Sequence, residues 1–523
     1  MSVTVVVIGY NDAPHIADAV ASACAQGEAV SEVIAVDDCS TDDSVHVLDG
    51  VAAHEPRLRV VRRTVNSGGC GTPRNEGLAH ATAPYVLFLD SDDVLPPGAV
   101  DALLRAARTT RADVVGGLCV RRELPGGREL PWQRELYAKR RMLDEPAALP
   151  RVAADTLCVN KLYRTDFLRA HAILFPPGRY LYEDFVFTAR VLAARPRMAL
   201  VPDRVYVWHV RRDEERRSLS LDRDGAENWR ARVRAHRQAV AELSGQPTLV
   251  RAARAGFLDR GLRMYVRELP RHDPAYQRAW WDLTRAYLTA FAPADVAAAA
   301  APARTAAAVV RNAPAPRDLG RLRDLVSKPS RLLPPSARDE TGTPVWAADL
   351  PGVPLTHLER APMGRLPLTV DAILKPAARG SRLRLRLHEL YGRVAEAGPV
   401  AVQAALVHRD TGRVVQRRSA SLAPGPTPGT WTASLRLRLT ELEAGTWDVW
   451  LMLAFADGTT RTTQPRALTS LGHLHRTAIP SRRHGLVLVH PYATHSASLA
   501  LRVAPGMRGM GDVVRRKVGR WVR

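Results

Sequence analysis

The chain has 523 residues, 46% of them hydrophobic and 24% charged, with a formal net charge of +22 and five cysteines. Its length exceeds what one hydrophobic core supports, so two or three domains are expected. The composition is that of a folded globular protein, and no run approaches the roughly 18 to 20 apolar residues of a membrane span, which excludes a spanning helix. The early apolar run Val3–Gly9 meets Asn11 and Asp12 at once and has no basic flank, so it reads as neither signal peptide nor anchor.

From Met1 to about Tyr206 short apolar runs alternate with amphipathic stretches. Val3–Ile8, Val33–Val36, Arg59–Arg62 and Tyr85–Leu89 read as strands; Ile16–Ala25, Ser44–Ala53 and Thr72–Ala81 read as helices. That cadence predicts a doubly wound, mostly parallel α/β sheet, in which ligands bind beyond the carboxyl ends of the strands. Residues 211–328 read as helical, rich in Arg, Ala and aromatic residues such as Trp229, Phe257, Trp280 and Trp281. Ala292–Val310 reads as helix or linker, and Ser327–Ser336, dense in Pro and Ser, as a linker. Beyond it the period becomes two. Leu383, Leu385 and Leu387 alternate with Arg384, Arg386 and His388, and Leu435, Leu437 and Leu439 with Arg436, Arg438 and Thr440. Asp457-Gly458 marks a hairpin turn. This predicts a second, all-β domain of sandwich type. The ranges are 1–220 for the α/β domain, 221–335 for a helical linker on the acceptor side, 336–505 for the β domain and 506–523 for a tail. In that tail Met510, Val514, Val518 and Trp521 fall at helical spacing among six basic residues, a pattern suited to an anionic membrane surface or to a solvated terminal helix.

Four segments carry chemistry. In Leu87-Phe88-Leu89-Asp90-Ser91-Asp92-Asp93 an apolar strand delivers carboxylates to its own end, where they can share a hard divalent cation with phosphate oxygens. Asp-rich turns after strands are more often only turns. Val36-Asp37-Asp38-Cys39-Ser40-Thr41-Asp42 follows another strand; its plain reading is a helix cap by Ser40, Thr41 or Asp42, while Asp38 is placed to accept from a nucleobase N–H. Asn66-Ser67-Gly68-Gly69 leads into Pro73-Arg74, where glycines permit close approach of a ligand and Arg74 could clamp a diphosphate. Asn160-Lys161-Leu162-Tyr163 precedes Tyr182-Glu183-Asp184-Phe185, where a carboxylate among aromatic rings suits a general base, or simply a helix start. Trp208, His209 and Arg211 follow. A lone histidine is more often structural than a ligand.

In this order the segments resemble the family 2 inverting glycosyltransferases of the GT-A fold. The resemblance runs over about residues 3–220, from the opening strand Val5-Val6-Val7-Ile8-Gly9-Tyr10-Asn11 to Glu183-Asp184. It implies a doubly wound mixed sheet and a UDP-sugar donor. Tyr10, Asp38, Asn66, Arg74, Asp90, Ser91, His209 and Arg211 would hold that donor, and Asp92 with Asp90 would bind Mn²⁺ or Mg²⁺. Asp184 would take the acceptor proton, and Glu183 would touch the donor sugar. Gly9 stands where the family commonly has Pro, and Gly69-Cys70-Gly71-Thr72-Pro73 is looser than the usual segment before Arg. A helical segment and a β-sandwich behind such a domain also resemble the wall teichoic acid glycosyltransferases. This implies a polysaccharide or polyol-phosphate acceptor, lipid-linked or free, and homo-oligomers formed through the β domain.

The five cysteines, all in the first third and without metal-ligand spacing, predict reduced thiols in a cytoplasmic enzyme, peripheral at the inner membrane face if the tail binds lipid. The basic excess fits an anionic acceptor, but it also fits a genome-wide bias toward Arg, Ala, Val and Pro. Alternatives are a transferase with another nucleotide-sugar donor, a non-enzymatic binder of nucleic acid or anionic polymer, and a degenerate carbohydrate-binding scaffold. No nucleic-acid-binding module is recognisable. Intact Asp90, Asp92 and Asp184 argue against the scaffold.

Overall fold

The computed structural model describes all residues except 125, 212–222, 224, 469–473 and 507–523, so the expected basic tail lies outside the described residues. Two compact units emerge: residues 1–261 with 274–300, and residues 262–273 with 301–523.

The first unit is built on one nine-stranded mixed sheet. Its leading half alternates strands β1 (Val3–Gly9), β2 (Val30–Asp37), β3 (Leu58–Arg62) and β4 (Tyr85–Asp90) with helices α1 (Ile16–Cys24), α2 (Ser44–Ala52) and α3 (Gly71–His80). Helix α4 (Ala99–Thr110) follows, then strands β5 (Val114–Leu124), β6 (Arg128–Pro131), β7 (Arg141–Leu143) and β8 (Lys161–Arg164). Helices α5 (Thr165–Ala170) and α6 (Glu183–Ala193) and strand β9 (Met198–Arg211) complete the sheet layer. The order is β3-β2-β1-β4-β8-β5-β9-β7, with β6 on β5; β3, β2, β1 and β4 run parallel, and β8 is antiparallel to both β4 and β5. The short β8 thus turns a doubly wound sheet into a mixed one. β1 is buried along its whole length because it lies between parallel neighbours and beneath helices on both faces. Glycine sets one of those contacts: Gly77 on α3 lies against Val6, where a Cβ would overlap Val6 Cγ1.

Behind α6 lies a helical layer. Helix α7 (Ala226–Glu242) and the helix Pro274–Leu288 bury Trp229, Trp280 and Trp281, and Trp229 Nε1 donates to Thr284 Oγ1 at 2.8 Å. The aromatic residues of the helical stretch are therefore core, as their spacing suggests. The Ala-rich stretch forms two short helices, Pro293–Ala298 and Ala301–Asn312, the second carrying Pro302 in its first turn.

In the second unit two sheets pair almost wholly antiparallel. Ser381–His388 lies between Val370–Lys375 and Thr430–Leu437 in one; Gly445–Phe455 lies between Pro399–His408 and Leu499–Pro505 in the other. Leucines at every second position of Ser381–His388 are buried and the arginines between them exposed, which is the alternation read from sequence. Asp457-Gly458 joins Gly445–Phe455 to Thr460–Thr463, with Gly458 at φ +79°. The Pro- and Ser-rich segment expected as a linker is instead packed into this unit. Arg331 is fully buried, donating to Ser496 O at 2.7 Å and Ser498 Oγ at 2.6 Å. Three backbone and side-chain acceptors replace the water that a linker arginine would keep. All five cysteines are free, and among the described residues no helix is long and apolar enough to cross a membrane.

The Gly77 contact yields a test. Gly77→Ala is expected to lower stability by about 1–3 kcal/mol through overpacking, and adding Val6→Ala should recover part of the loss, both read from thermal melts.

Candidate active site

The carboxyl ends of β1, β2 and β4 lie side by side, and backbone hydrogen bonds fix what leaves them. Asp38 N–H donates to Gly9 O at 2.9 Å, and Ser91 N–H to Ile8 O at 3.0 Å. Both acidic clusters are thereby tied to the end of β1.

The Asp38 carboxylate is buried and well supplied with donors: Arg63 Nε at 2.7 Å, Ser67 N–H at 3.0 Å and Ser67 Oγ at 2.8 Å. Asn66 Nδ2 donates to Asp38 O at 2.8 Å, and Asn66 Oδ1 accepts from Gly68 N–H at 2.8 Å. Asp38 and Asn66 together fold the glycine loop against the end of β2. Tyr10 stands just past β1, 37% exposed, on the same edge. A cap is expected at Ser40, Thr41 or Asp42; the cap position of α2 is instead Asp43, which makes no side-chain cap bond, while Asp42 Oδ1 accepts from Ser44 N–H at 3.0 Å. Asn11, held at φ +50°, bonds both Ser40 and Thr41 and closes that corner.

Beyond β4, Asp90, Ser91 and Asp92 turn into the cleft. Ser91 Oγ donates to Asp12 Oδ2 at 2.6 Å. Asp93 turns back instead and is buried, accepting from Tyr206 OH at 2.7 Å and from His209 N–H at 2.7 Å. The Asp92 carbonyl accepts from His209 Nδ1 at 3.1 Å and from Arg211 at 2.9 Å. The end of β9 thus clasps the acidic turn, and Asp93 and Tyr206 are the residues that sequence reading missed as its supports. Burial lowers His209 from the usual imidazole range. The Asp92 carboxyl is pushed up to about 6, by its depth in the cleft first and then by the charges of Asp90 and Asp12.

Arg74 joins this turn to α6. It is 3% exposed, with one terminal nitrogen 2.5 Å from Asp90 Oδ1, the other 2.6 Å from Glu183 Oε1, and the Phe175 ring 5.3 Å from its guanidinium carbon. Sequence reading gave Arg74 a diphosphate to clamp; here the two ends of its fork meet the carboxylates of Asp90 and Glu183. α6 starts from Tyr182 in the left-handed region, at φ +64°, which puts Glu183 and Asp184 in the first turn. Beneath them Phe88, Phe175 and Phe187 pack ring to ring, with Phe175 and Phe187 stacked at 3.8 Å. Against that apolar floor Asp184 is raised to about 8, by burial first and then by the charge of Glu183.

Asn160 and Lys161 lie apart from this group. Lys161 Nζ reaches Asp155 Oδ2 at 2.8 Å, and Asp155 also accepts from Trp132 and Tyr137, a closed buried network whose role is structural.

Among the described residues no three acidic, histidine or cysteine side chains form a closed metal-ligand set. Asp90 and Asp92 do fit a cation whose remaining ligands come from a donor's phosphates and water, which is the way Mg²⁺ is commonly held. The mutual crowding of Asp12, Asp90 and Asp92 is what such a charge relieves.

A mixed sheet with an acidic turn at the end of its fourth strand, faced by a second pair of carboxylates on a helix start, is the arrangement that the resemblance to the GT-A fold implies. The comparisons agree: residues 4–171 match the family model for glycosyl transferase family 2. The poly(ribitol-phosphate) β-glucosyltransferase of Bacillus spizizenii is 30% identical over 226 residues, 42% of this chain and 34% of that protein. The poly(ribitol-phosphate) β-N-acetylglucosaminyltransferase TarS of Staphylococcus aureus is 29% identical over 220 residues, 42% of this chain and 37% of that protein. The chain thus matches little more than a third of the length of these relatives. Among solved structures, S. aureus TarS aligns over 97% of this chain and 85% of that one with a TM-score of 0.55 and 20% identity. Its fragment 1–349, in complex with UDP-GlcNAc, aligns over 62% of this chain and 90% of that one with a TM-score of 0.51 and 23% identity. At these identities the likeness is one of fold.

Arg74→Met would leave two carboxylates facing each other in a buried site. It is expected to cost about 3–5 kcal/mol, measured by chemical denaturation, and Glu183→Gln in the same chain should restore part of it.

Proposed function

We propose that the chain is an inverting glycosyltransferase that moves a hexose or N-acetylhexosamine from a UDP-sugar to a hydroxyl of a polyol-phosphate wall polymer. The observation that carries this reading is the Arg74 bridge, which brings the Asp90-Ser91-Asp92 turn and the Glu183-Asp184 pair to one cleft. The UDP-sugar and the polymer come from the relatives: two are named for transfer to poly(ribitol phosphate), and a TarS fragment is solved with UDP-GlcNAc.

In this reading Asp38 and Asn66 form the wall that receives the uracil, with the Asp38 carboxylate held in place by Arg63 and Ser67. Tyr10 and Ser91 flank the donor, and His209 and Arg211 stand at the diphosphate end. Asp90 and Asp92 would hold Mn²⁺ or Mg²⁺, which when bound supplies positive charge against the leaving diphosphate. Asp184 accepts the proton of the acceptor hydroxyl as its oxygen bonds to the anomeric carbon, and the bond to UDP breaks on the opposite face, inverting the centre. Glu183, held by Arg74, faces the donor sugar. Arg74 positions both acids and keeps their charges apart. The apolar floor that raises Asp184 makes it a stronger base than an exposed carboxylate. Assembly of copies through the β-sandwich unit, and a cytoplasmic site of action, complete the proposal.

A panel of UDP-sugars with Mn²⁺ and a polyol-phosphate acceptor, read as UDP release, tests it. Turnover is expected with one UDP-hexose or UDP-N-acetylhexosamine, falling by about a hundredfold or more in Asp184→Asn and comparably in Asp92→Ala. Full turnover in either variant removes the role given to that residue.

The pH profile follows from the same site. The base form of Asp184 is populated only as pH rises through about 8, so kcat/KM should climb across that range and level off above it. A profile flat from neutral to mildly alkaline pH would refute Asp184 as the base.

A further inference from the structure

The solvent face of the smaller sheet in the second unit carries an arrangement that the transfer chemistry does not use. Three adjacent strands, Val370–Lys375, Ser381–His388 and Thr430–Leu437, pair in a register that sets Lys375 opposite Arg382 and Arg382 opposite Arg436. Three cations thus stand in one row across the sheet. Arg384 and Arg386 continue along the middle strand on the same face, spaced by roughly 6.7 Å for each second residue. Lys375, Arg382, Arg384, Arg386 and Arg436 are all exposed. Among the described residues none of these five side chains takes part in a salt bridge. The one carboxylate on this face of the three strands, Asp371, is already held by His388 at 2.8 Å and Arg466 at 2.6 Å.

Like charges directly opposite one another weaken a sheet, and a surface selected only for solubility would intersperse the two signs. A row of unneutralised cations on a rigid scaffold is instead what a polyanion needs. Between the cations the face carries Ile373, Thr432 and Ser434, whereas Trp431 pairs with Leu387 on the alternate, inward-facing set of positions. The face therefore offers charge and hydroxyl groups but no aromatic platform on which bases could stack, which separates it from surfaces that bind single-stranded nucleic acid.

We propose that this face binds the phosphodiester backbone of a polyol-phosphate polymer, docking the chain of which one hydroxyl is glycosylated in the other unit. The identity of the polymer rests on the function proposed above; the anion-binding face does not.

The test uses the full chain and the triple variant Arg382→Thr, Arg384→Thr, Arg436→Thr, with Arg417→Thr, Arg418→Thr on the other sheet as control. Binding of poly(glycerol phosphate) and of oligo(dT) is measured over a series of salt concentrations, alongside UDP release with a short single-unit acceptor and with the polymer. The expected result is a polymer affinity at least tenfold lower in the triple variant and unchanged in the control, with the salt slope of log K smaller by about 2, from roughly 0.7 per lost contact. KM for the polymer should rise while turnover of the short acceptor holds. Because repulsion is removed, the triple variant should melt no lower than the parent chain. Equal polymer binding by parent and triple variant overturns the proposal, as does equal loss in the control. Tighter binding of oligo(dT) than of the polymer through these arginines overturns the choice of polymer. Polymer binding without any UDP release would instead refute the transferase reading and leave the face standing.

Discussion

The first unit depends on one buried cation. Arg74 reaches Asp90 at the end of a strand and Glu183 at the start of a helix more than a hundred residues later, and it is almost wholly out of water. A guanidinium in that position is tolerable because each end of its fork finds a carboxylate acceptor in an apolar setting. The bridge therefore does more than join two elements. It fixes how far apart Asp90 and Glu183 can lie, and it does so with a planar group that a lysine could not copy.

The remaining electrostatics follow from that anchor. Burial lifts Asp184 into the range in which it can both accept and release a proton near neutrality, whereas Asp92, more open and closer to Asp90 and Asp12, is lifted less. Two carboxyl groups of similar intrinsic acidity are thus separated by environment alone. Asp93 shows a third outcome: fully enclosed, it is given to Tyr206 and the backbone of His209, and it ties the end of β9 to the acidic turn after β4.

The sequence made the leading half of the sheet legible because its strands are apolar runs, two of which, Val30–Asp37 and Tyr85–Asp90, end in acids. Val3–Gly9 and Tyr85–Asp90 lie within a residue of where the pattern puts them. Alternating Leu and Arg made the second unit legible in the same way. What was not legible depended on pairing across long separations. Nothing local in Arg74 says that its fork is filled by carboxylates, since the same residue in the same helix could as well face phosphate. Nor does Pro and Ser content reveal that Arg331 finds buried acceptors some 165 residues on. Asp93 could have been suspected: a third acid in a row cannot share the cleft with two others at low cost, so one was bound to turn inward and find a hydrogen-bond donor.

Strict alternation along Ser381–His388 also constrains how the chain reaches its fold. Sliding this strand by a single residue against either neighbour would exchange the two sets, driving Arg382, Arg384 and Arg386 into the interior and three leucines into water. No nearby misalignment is therefore close in energy to the native one, and slipped pairings are rejected as they form. A strand whose outer positions were neutral would lack that safeguard, so the arginines that strain the finished sheet also proofread its assembly.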